Sequence, residues 1–151
     1  MRYLVDTNVA SRRVLPSDPN HRIVLQAIDL LRQQGDVLHI TAQNIIEFHA
    51  LATRPVEANG LGILVVQASL EAGKMEAIFP ILPEIPAIFP LWRNLVDTYG
   101  VIGRQVYDAR LVAVMQAHGI THLLTMNPKH FRRFAEITVV EPKDVLGEDA
   151  E

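Results

Sequence analysis

The sequence predicts an α/β fold, a three-layer α/β/α sandwich around a mainly parallel central sheet. Three observations predict it. Short β-prone runs alternate with longer stretches whose apolar residues recur at helical spacing. The stretch at 107–118 is almost entirely apolar apart from Asp108, Arg110 and Gln116, which suits a helix pressed against a sheet. A length of 151 residues with 49% hydrophobic and 21% charged gives one domain with a real core, and argues against disorder or a multidomain machine.

Residues 2–5 form a β-prone run ending in Asp6, and Thr7-Asn8 supply turn or cap chemistry before a short helix begins at Val9. A loop at 16–20 leads to a helix whose Ile23, Val24, Ala27, Ile28 and Leu31 share one face, and Gly35 ends it. Residues 36–40 are a second strand. Thr41 is an N-cap for a helix to about Ala52, stopped by Arg54-Pro55. The loop at 56–62, with Asn59-Gly60 and Gly62, precedes a helix from about Leu64 to Ala77. Between Pro80 and Pro83 only the very short strand Ile81-Leu82 fits. Pro86 suits the first turn of a helix that runs to about Tyr99, where Gly100 closes it. After the apolar helix, Gly119 gives way to a buried strand at 120–125. Asn127-Pro128 opens a short helical turn, and 137–140 is a last strand. The expected organisation is one domain over 1–147 followed by an acidic tail at 148–151, with no internal repeat.

The absence of cysteine excludes a disulfide scaffold, a cysteine nucleophile and thiolate zinc. The opening MRYLVD lacks the apolar run of a signal peptide. The longest stretch free of Asp, Glu, Lys and Arg, 111–128, is broken by Gln116, His118, Gly119, Thr121 and His122, so the expectation is a cytoplasmic protein with no membrane span. A formal net charge of -3 is the wrong sign for a protein that coats nucleic acid. Yet Glu148, Asp149 and Glu151 account for all of it. Residues 93–133 carry Arg93, Arg104, Arg110, Lys129, Arg132 and Arg133 against only Asp97 and Asp108, which is either a polyanion-binding face or an ordinary solvated one.

In a parallel α/β sheet the working groups gather beyond the carboxyl ends of the strands. Asp6 closes the first strand and Asn127 lies just past the strand ending at Thr125. Asp108 sits at the start of the apolar helix, and Glu47 about two turns into the helix after the second strand. Four polar residues remote in sequence can therefore meet at one end of one sheet. Each also has a plainer reading: Asp6 and Asp108 as helix N-caps, Glu47 turned to water beside Asn44, and Asn127 as a turn residue before Pro128. Carboxylates gathered around one pocket repel each other and rise in pKa unless a cation neutralises them. Carboxylate oxygens with one amide oxygen and no thiolate suit Mg²⁺ or Mn²⁺, and such a site favours phosphodiester hydrolysis.

Other chemistries lack their residues. No HExxH, P-loop, GxGxxG or GxSxG sequence occurs, and Asn8 stands where a haloacid-dehalogenase-type phosphatase needs its second Asp. Val65, Leu70, Met75, Ile78 and Phe79 read as core or partner surface rather than a cofactor box. His130 is expected to be solvent-exposed, with contact to a substrate phosphate or leaving group as the alternative.

With these residues placed, the chain resembles a PIN domain, and within that superfamily a VapC-type toxin ribonuclease of a type II toxin–antitoxin pair. The similarity runs from Leu4-Val5-Asp6-Thr7-Asn8 to the strand near Val139. Its more specific pieces are Gly103-Arg104-Gln105-Val106-Tyr107-Asp108-Ala109-Arg110-Leu111-Val112-Ala113 and Leu123-Leu124-Thr125-Met126-Asn127-Pro128-Lys129-His130-Phe131. The resemblance implies that Asp6, Glu47 and Asp108 bind Mg²⁺ or Mn²⁺ directly or through water, and that Thr7, Asn8 and Thr125 orient the site. Asn127 falls where many members have a fourth acid, which puts a second ion in doubt. Tyr107 stands where close relatives often have His, and is expected to pack at the helix start, with stacking on a base as the alternative.

The resulting expectation is a metal-dependent endoribonuclease that leaves a 5′-phosphate and a 3′-hydroxyl, forms a homodimer and is inhibited by a cognate antitoxin. Its RNA-binding candidates are Arg104, Arg110, Lys129, His130, Arg132 and Arg133, with Arg12 and Arg13 as weaker ones. Two rivals stand beside it: a PIN-like module that binds RNA or protein without cutting, and a housekeeping RNA- or DNA-processing nuclease. Without the three tail acids and the three proposed ligands, the chain carries 14 bases against 11 acids. Net charge is then no objection to RNA.

Overall fold

Strand β1 (Arg2–Val5) places Tyr3 and Val5 on one side of a sheet and Leu4 on the other, all three buried. That alternation of apolar residues on both faces requires a layer above and a layer below. Four further strands complete the sheet in the computed structural model, which describes residues 1–13 and 15–147. They are β2 (Val37–Thr41), β3 (Ile81–Leu82), β4 (His122–Leu124) and β5 (Thr138–Val140), in the order β3-β2-β1-β4-β5. Every pairing is parallel, with Leu4 opposite His39 on one side and Leu123 on the other. The expected tail at 148–151 lies outside the described residues.

Helices α1 (Thr7–Arg12), α2 (His21–Gln33), α3 (Ala42–Thr53) and α4 (Val65–Ile78) cover one face, where Val9, Val24, Ile28, Phe48, Met75 and Phe79 form the core with Val5 and Leu124. Helices α5 (Ile88–Tyr99) and α6 (Gln105–Ala117) pack on each other and cover the opposite face through Leu95, Leu111 and Met115, joined by Phe131 from the turn after β4. The three-layer α/β/α sandwich is thus the architecture.

Several boundaries differ from the expected ones for identifiable reasons. Helix α1 begins at Thr7 rather than Val9, because Asp6 itself is the N-cap and accepts from the Thr7 N–H. Pro86 lies in a turn two residues before α5, and Pro90 occupies the first turn instead. Helix α6 begins two residues early, so Asp108 stands inside its first turn and Arg104 takes the cap position. Beyond β5 the chain adds α7 (Pro142–Leu146), which packs on α2 and sends Val145 toward the first core. Five residues are too few for helical periodicity to register. Val65 and Leu70 are exposed while Met75 and the residue that closes α4, Phe79, are buried, dividing this apolar set between surface and core. No helix among the described residues is long and apolar enough to cross a membrane.

Candidate active site

β1 and β4 lie side by side, so their carboxyl ends bring Asp6 and Thr125 together although 119 residues separate them. The Asp6 N–H continues the ladder onto the Leu124 carbonyl at 2.9 Å. Its carboxylate is then fixed from two sides: Oδ1 accepts from the Thr7 N–H at 2.8 Å and Oδ2 from the Thr125 hydroxyl at 2.7 Å. Asp6 is only 7% exposed. Burial raises its pKa to about 7; the Thr125 bond opposes the rise, Glu47 and Asp108 reinforce it, and the Thr7 bond opposes it again.

Glu47 is aimed by a relay that starts at the α3 cap. Thr41 caps the helix by accepting from the Asn44 N–H, while its own N–H and hydroxyl donate to Asn44 Oδ1 at 2.8 and 2.9 Å. Asn44 Nδ2 donates to Thr7 Oγ1 at 2.9 Å, and the Thr7 hydroxyl donates to Glu47 Oε2 at 2.8 Å. Gln43, one turn before Glu47, donates to Oε1 at 2.6 Å. Glu47 is therefore held within this network rather than turned to water, and Asn44 is buried beside it.

Asp108 presents its carboxylate from the first turn of α6, where the helix dipole favours negative charge. His130 Nδ1 lies 3.5 Å from Oδ2. Desolvation raises the Asp108 pKa to about 6; His130 counteracts that most, Glu47 adds to it, and Arg133 lowers it again. His130 is half-exposed but faces the carboxylate.

Asp6, Glu47, Asp108, Asn127, Asn8 and His130 line one cavity of about 440 Å³. The Asn127 N–H donates to Thr125 Oγ1 at 3.0 Å, and Asn8 Oδ1 accepts from the Met126 N–H at 3.1 Å, tying α1 to the loop after β4. The donor chemistry fits a hard divalent cation: buried carboxylates whose pKa values are raised gain from a positive charge among them. Among the described residues no three His, Cys, Asp or Glu side chains stand close enough to ligate one ion together. With no three such donors converging among the described residues, the arrangement suits an ion held by one or two carboxylates and completed by water, not direct ligation by all three acids.

The basic candidates divide. Arg110 is committed to Glu84 at 2.6 Å and to Gln43 at 3.3 Å, and Arg133 bonds Gln105 while lying over the Phe134 ring at 5.3 Å. Arg104, Lys129 and Arg132 are exposed. Arg12 lines the acidic cavity and donates to the Asn8 carbonyl at 2.6 Å. Tyr107 corrects the expectation of packing: it is 60% exposed. The early start of α6 gives the packed position to Val106, whose carbonyl accepts from the Trp92 indole, and turns Tyr107 outward. Sequence reasoning also passed over Gln43 and saw Asn44 only as solvent-facing; spacings of four and three residues before Glu47 were the available signal.

Fold and site together define an α/β/α protein with an acidic, cation-suited pocket at the carboxyl edge of a parallel sheet. The chain belongs to the PIN domain family, whose sequence model matches residues 3–137. A comparison with curated proteins found no match. Among solved structures, the chain is similar to one of VapBC2 from Rickettsia felis bound to a DNA fragment from their promoter, with TM-score 0.71, 15% identity, and coverage of 93% of this chain and 98% of that one. It is similar to one of FitAcB from Neisseria gonorrhoeae, with TM-score 0.60, 24% identity, and coverage of 93% and 97%. A third is Mycobacterium tuberculosis VapC20, described as a sarcin-ricin loop cleaving toxin, with TM-score 0.54, 17% identity, and coverage of 80% and 86%. These identities speak to the fold.

Proposed function

We propose that this PIN domain is an Mg²⁺- or Mn²⁺-dependent endoribonuclease acting as the toxin of a type II toxin–antitoxin pair. One observation carries the reading: Asp6, Glu47 and Asp108, from three distant segments, line a single cavity in which Asp6 and Asp108 are pushed toward neutral pH. A pocket that disfavours its own negative charge is prepared for a cation. When bound, a divalent ion supplies stabilisation of charge on the phosphodiester and eases deprotonation of the attacking water.

The chain's own residues supply the rest. Asp6 and Asp108 would hold the ion, Glu47 would accept a hydrogen bond or proton from water beside them, and Asn127 would orient a water in the same cavity. Thr7, Asn8 and Thr125 keep these groups in place. Arg104, Lys129 and Arg132 contact flanking phosphates, and His130 stands near the leaving oxygen. The likeness to VapBC, FitAcB and VapC20 structures supports a cytoplasmic toxin whose partners are an antitoxin protein and a second copy of the chain.

Purified protein should cleave single-stranded RNA in Mg²⁺ or Mn²⁺, and Asp6→Asn and Asp108→Asn should remove cleavage while retaining the fold. Equal cleavage by wild type and both variants would falsify the site. Growth arrest on expression, relieved by the product of a neighbouring gene, tests the toxin role. The lack of a ready three-donor cluster among the described residues favours a second reading, a module that binds RNA without cutting it. Calorimetry with Mn²⁺ separates the two, because the non-cutting module needs no ion.

A further inference from the structure

The acidic pocket does not end at its carboxylates. Glu47, Asp108 and His130 also line a second cavity of about 590 Å³, which continues outward between α3 and the first turn of α6. Its walls differ in kind. Ala42, Ile46 and Ala50 form an apolar strip on α3, and Tyr107 stands among the lining residues from α6. Ile46 is 68% exposed and Tyr107 60% exposed. Single exposed apolar residues are ordinary, but these face one concave space beside a site built for phosphodiesters.

The edge of this slot is polar and fixed. Gln43 Nε2 donates to the Tyr107 carbonyl at 2.8 Å, pinning α6 to α3, and Gln43 Oε1 accepts from Arg110 at 3.3 Å. Arg110 is held in turn by both oxygens of Glu84. Arg54 and Arg104 also line the slot, adding positive charge outside the acidic centre.

We propose that this slot receives the nucleobase next to the cleaved phosphodiester, with Tyr107 stacking on its face and the Gln43–Arg110–Glu84 group meeting its edge. The inference rests on the nuclease reading above. A base is flat and apolar on its faces and polar around its rim, and the slot has the same arrangement. A strand whose phosphate lies at Asp6 and Asp108 passes directly into it, and Arg54 and Arg104 complement the phosphates on either side. A peptide strand finds less there, since the walls are helices α3 and α6 and offer no open sheet edge. An amphipathic helix would meet the Arg110–Glu84 pair across its apolar stripe.

The test uses the full chain and oligoribonucleotides spanning a mapped cleavage site, each abasic at one position, with rates measured in Mn²⁺. Base stacking on an aromatic residue predicts a roughly 5- to 150-fold loss of kcat/KM for wild type when one base beside the cleaved bond is missing. Tyr107→Ala should show a comparable loss on intact RNA and no further loss at that abasic position, whereas Tyr107→Phe and Tyr107→Trp keep the wild-type pattern. Circular dichroism checks that the variants fold. Wild type that cuts RNA with indifference to every abasic position overturns the slot alone, as does Tyr107→Ala that remains sensitive at the same position. No cleavage of any RNA by wild type removes the nuclease reading and the slot with it. Loss of a protein partner by Tyr107→Ala, with RNA kinetics unchanged, assigns the slot to that partner and overturns the proposal.

Discussion

The Thr125 hydroxyl donates to Asp6 Oδ2 at 2.7 Å, joining the ends of two adjacent parallel strands. The bond favours the ionised form of a carboxyl that burial pushes to about pH 7. Thr125→Val should therefore raise the Asp6 pKa further. It should cost about 1–3 kcal/mol at pH 8, where Asp6 is charged, and less at pH 5, where it is neutral. Urea unfolding at the two pH values measures the difference, and an equal cost at both would contradict this account.

The same burial makes stability fall as pH rises. The folded Asp6 pKa of about 7 lies above its ordinary 3.8, so between those values the folded state binds a proton that the unfolded chain lacks. Stability without metal should decline from about pH 4 to about pH 7, by at most ~4 kcal/mol for this group. Asp108, at about 6, adds a second decline over the lower part of that window. Asp6→Asn should flatten the slope and be more stable than wild type at pH 8. Saturating Mn²⁺ should flatten the wild-type slope too, and denaturation across pH 5–8 with and without the ion checks both.

Asn44 carries the relay from the α3 cap to Glu47, and it is buried. Asn44→Ala would leave the Thr41 N–H without its acceptor and Thr7 free to rotate away from Glu47. The expected cost is about 1–3 kcal/mol, together with weaker Mn²⁺ binding. Chemical denaturation reads the first effect and calorimetry the second; lost stability with unchanged ion affinity would show that Asn44 serves the cap alone.

How far the sequence reveals this depends on the physics that signals each part. Apolar residues on both faces of β1 and the sustained apolar run of α6 mark a sandwiched sheet, because burial is written in hydrophobic pattern. The convergence of Asp6, Glu47, Asp108 and Asn127 is legible because strand ends fix where polar residues can act. The Thr41–Asn44–Thr7 relay is less so, since a buried Asn and a solvent-facing Asn look alike until the β1–β2 pairing brings α1 beside α3. Tyr107 depended on two residues of helix start, and a shift that small reverses which side chain points inward. Helix α7 was too short to show any period.

Asn127 offers a test of the charge logic by addition rather than removal. It stands exposed on the wall of the acidic cavity, and its backbone N–H is tied to Thr125, so a substitution there changes charge with little change in packing. Asn127→Asp adds one more carboxylate to a cavity already lined by Asp6, Asp18, Glu47 and Asp108, where burial foremost, and then the charge of Glu47, raises Asp6 and Asp108. Without metal, repulsion should lower the melting temperature at pH 8, and the deficit should shrink at pH 5 as the carboxyls take up protons. With Mn²⁺ the sign reverses: more ligand charge should tighten binding about tenfold or admit a second ion. Calorimetric affinity and stoichiometry, measured beside melting curves at the two pH values, distinguish these outcomes. An unchanged affinity joined to an unchanged melting temperature would mean that Asn127 lies too far from the three acids to share their charge.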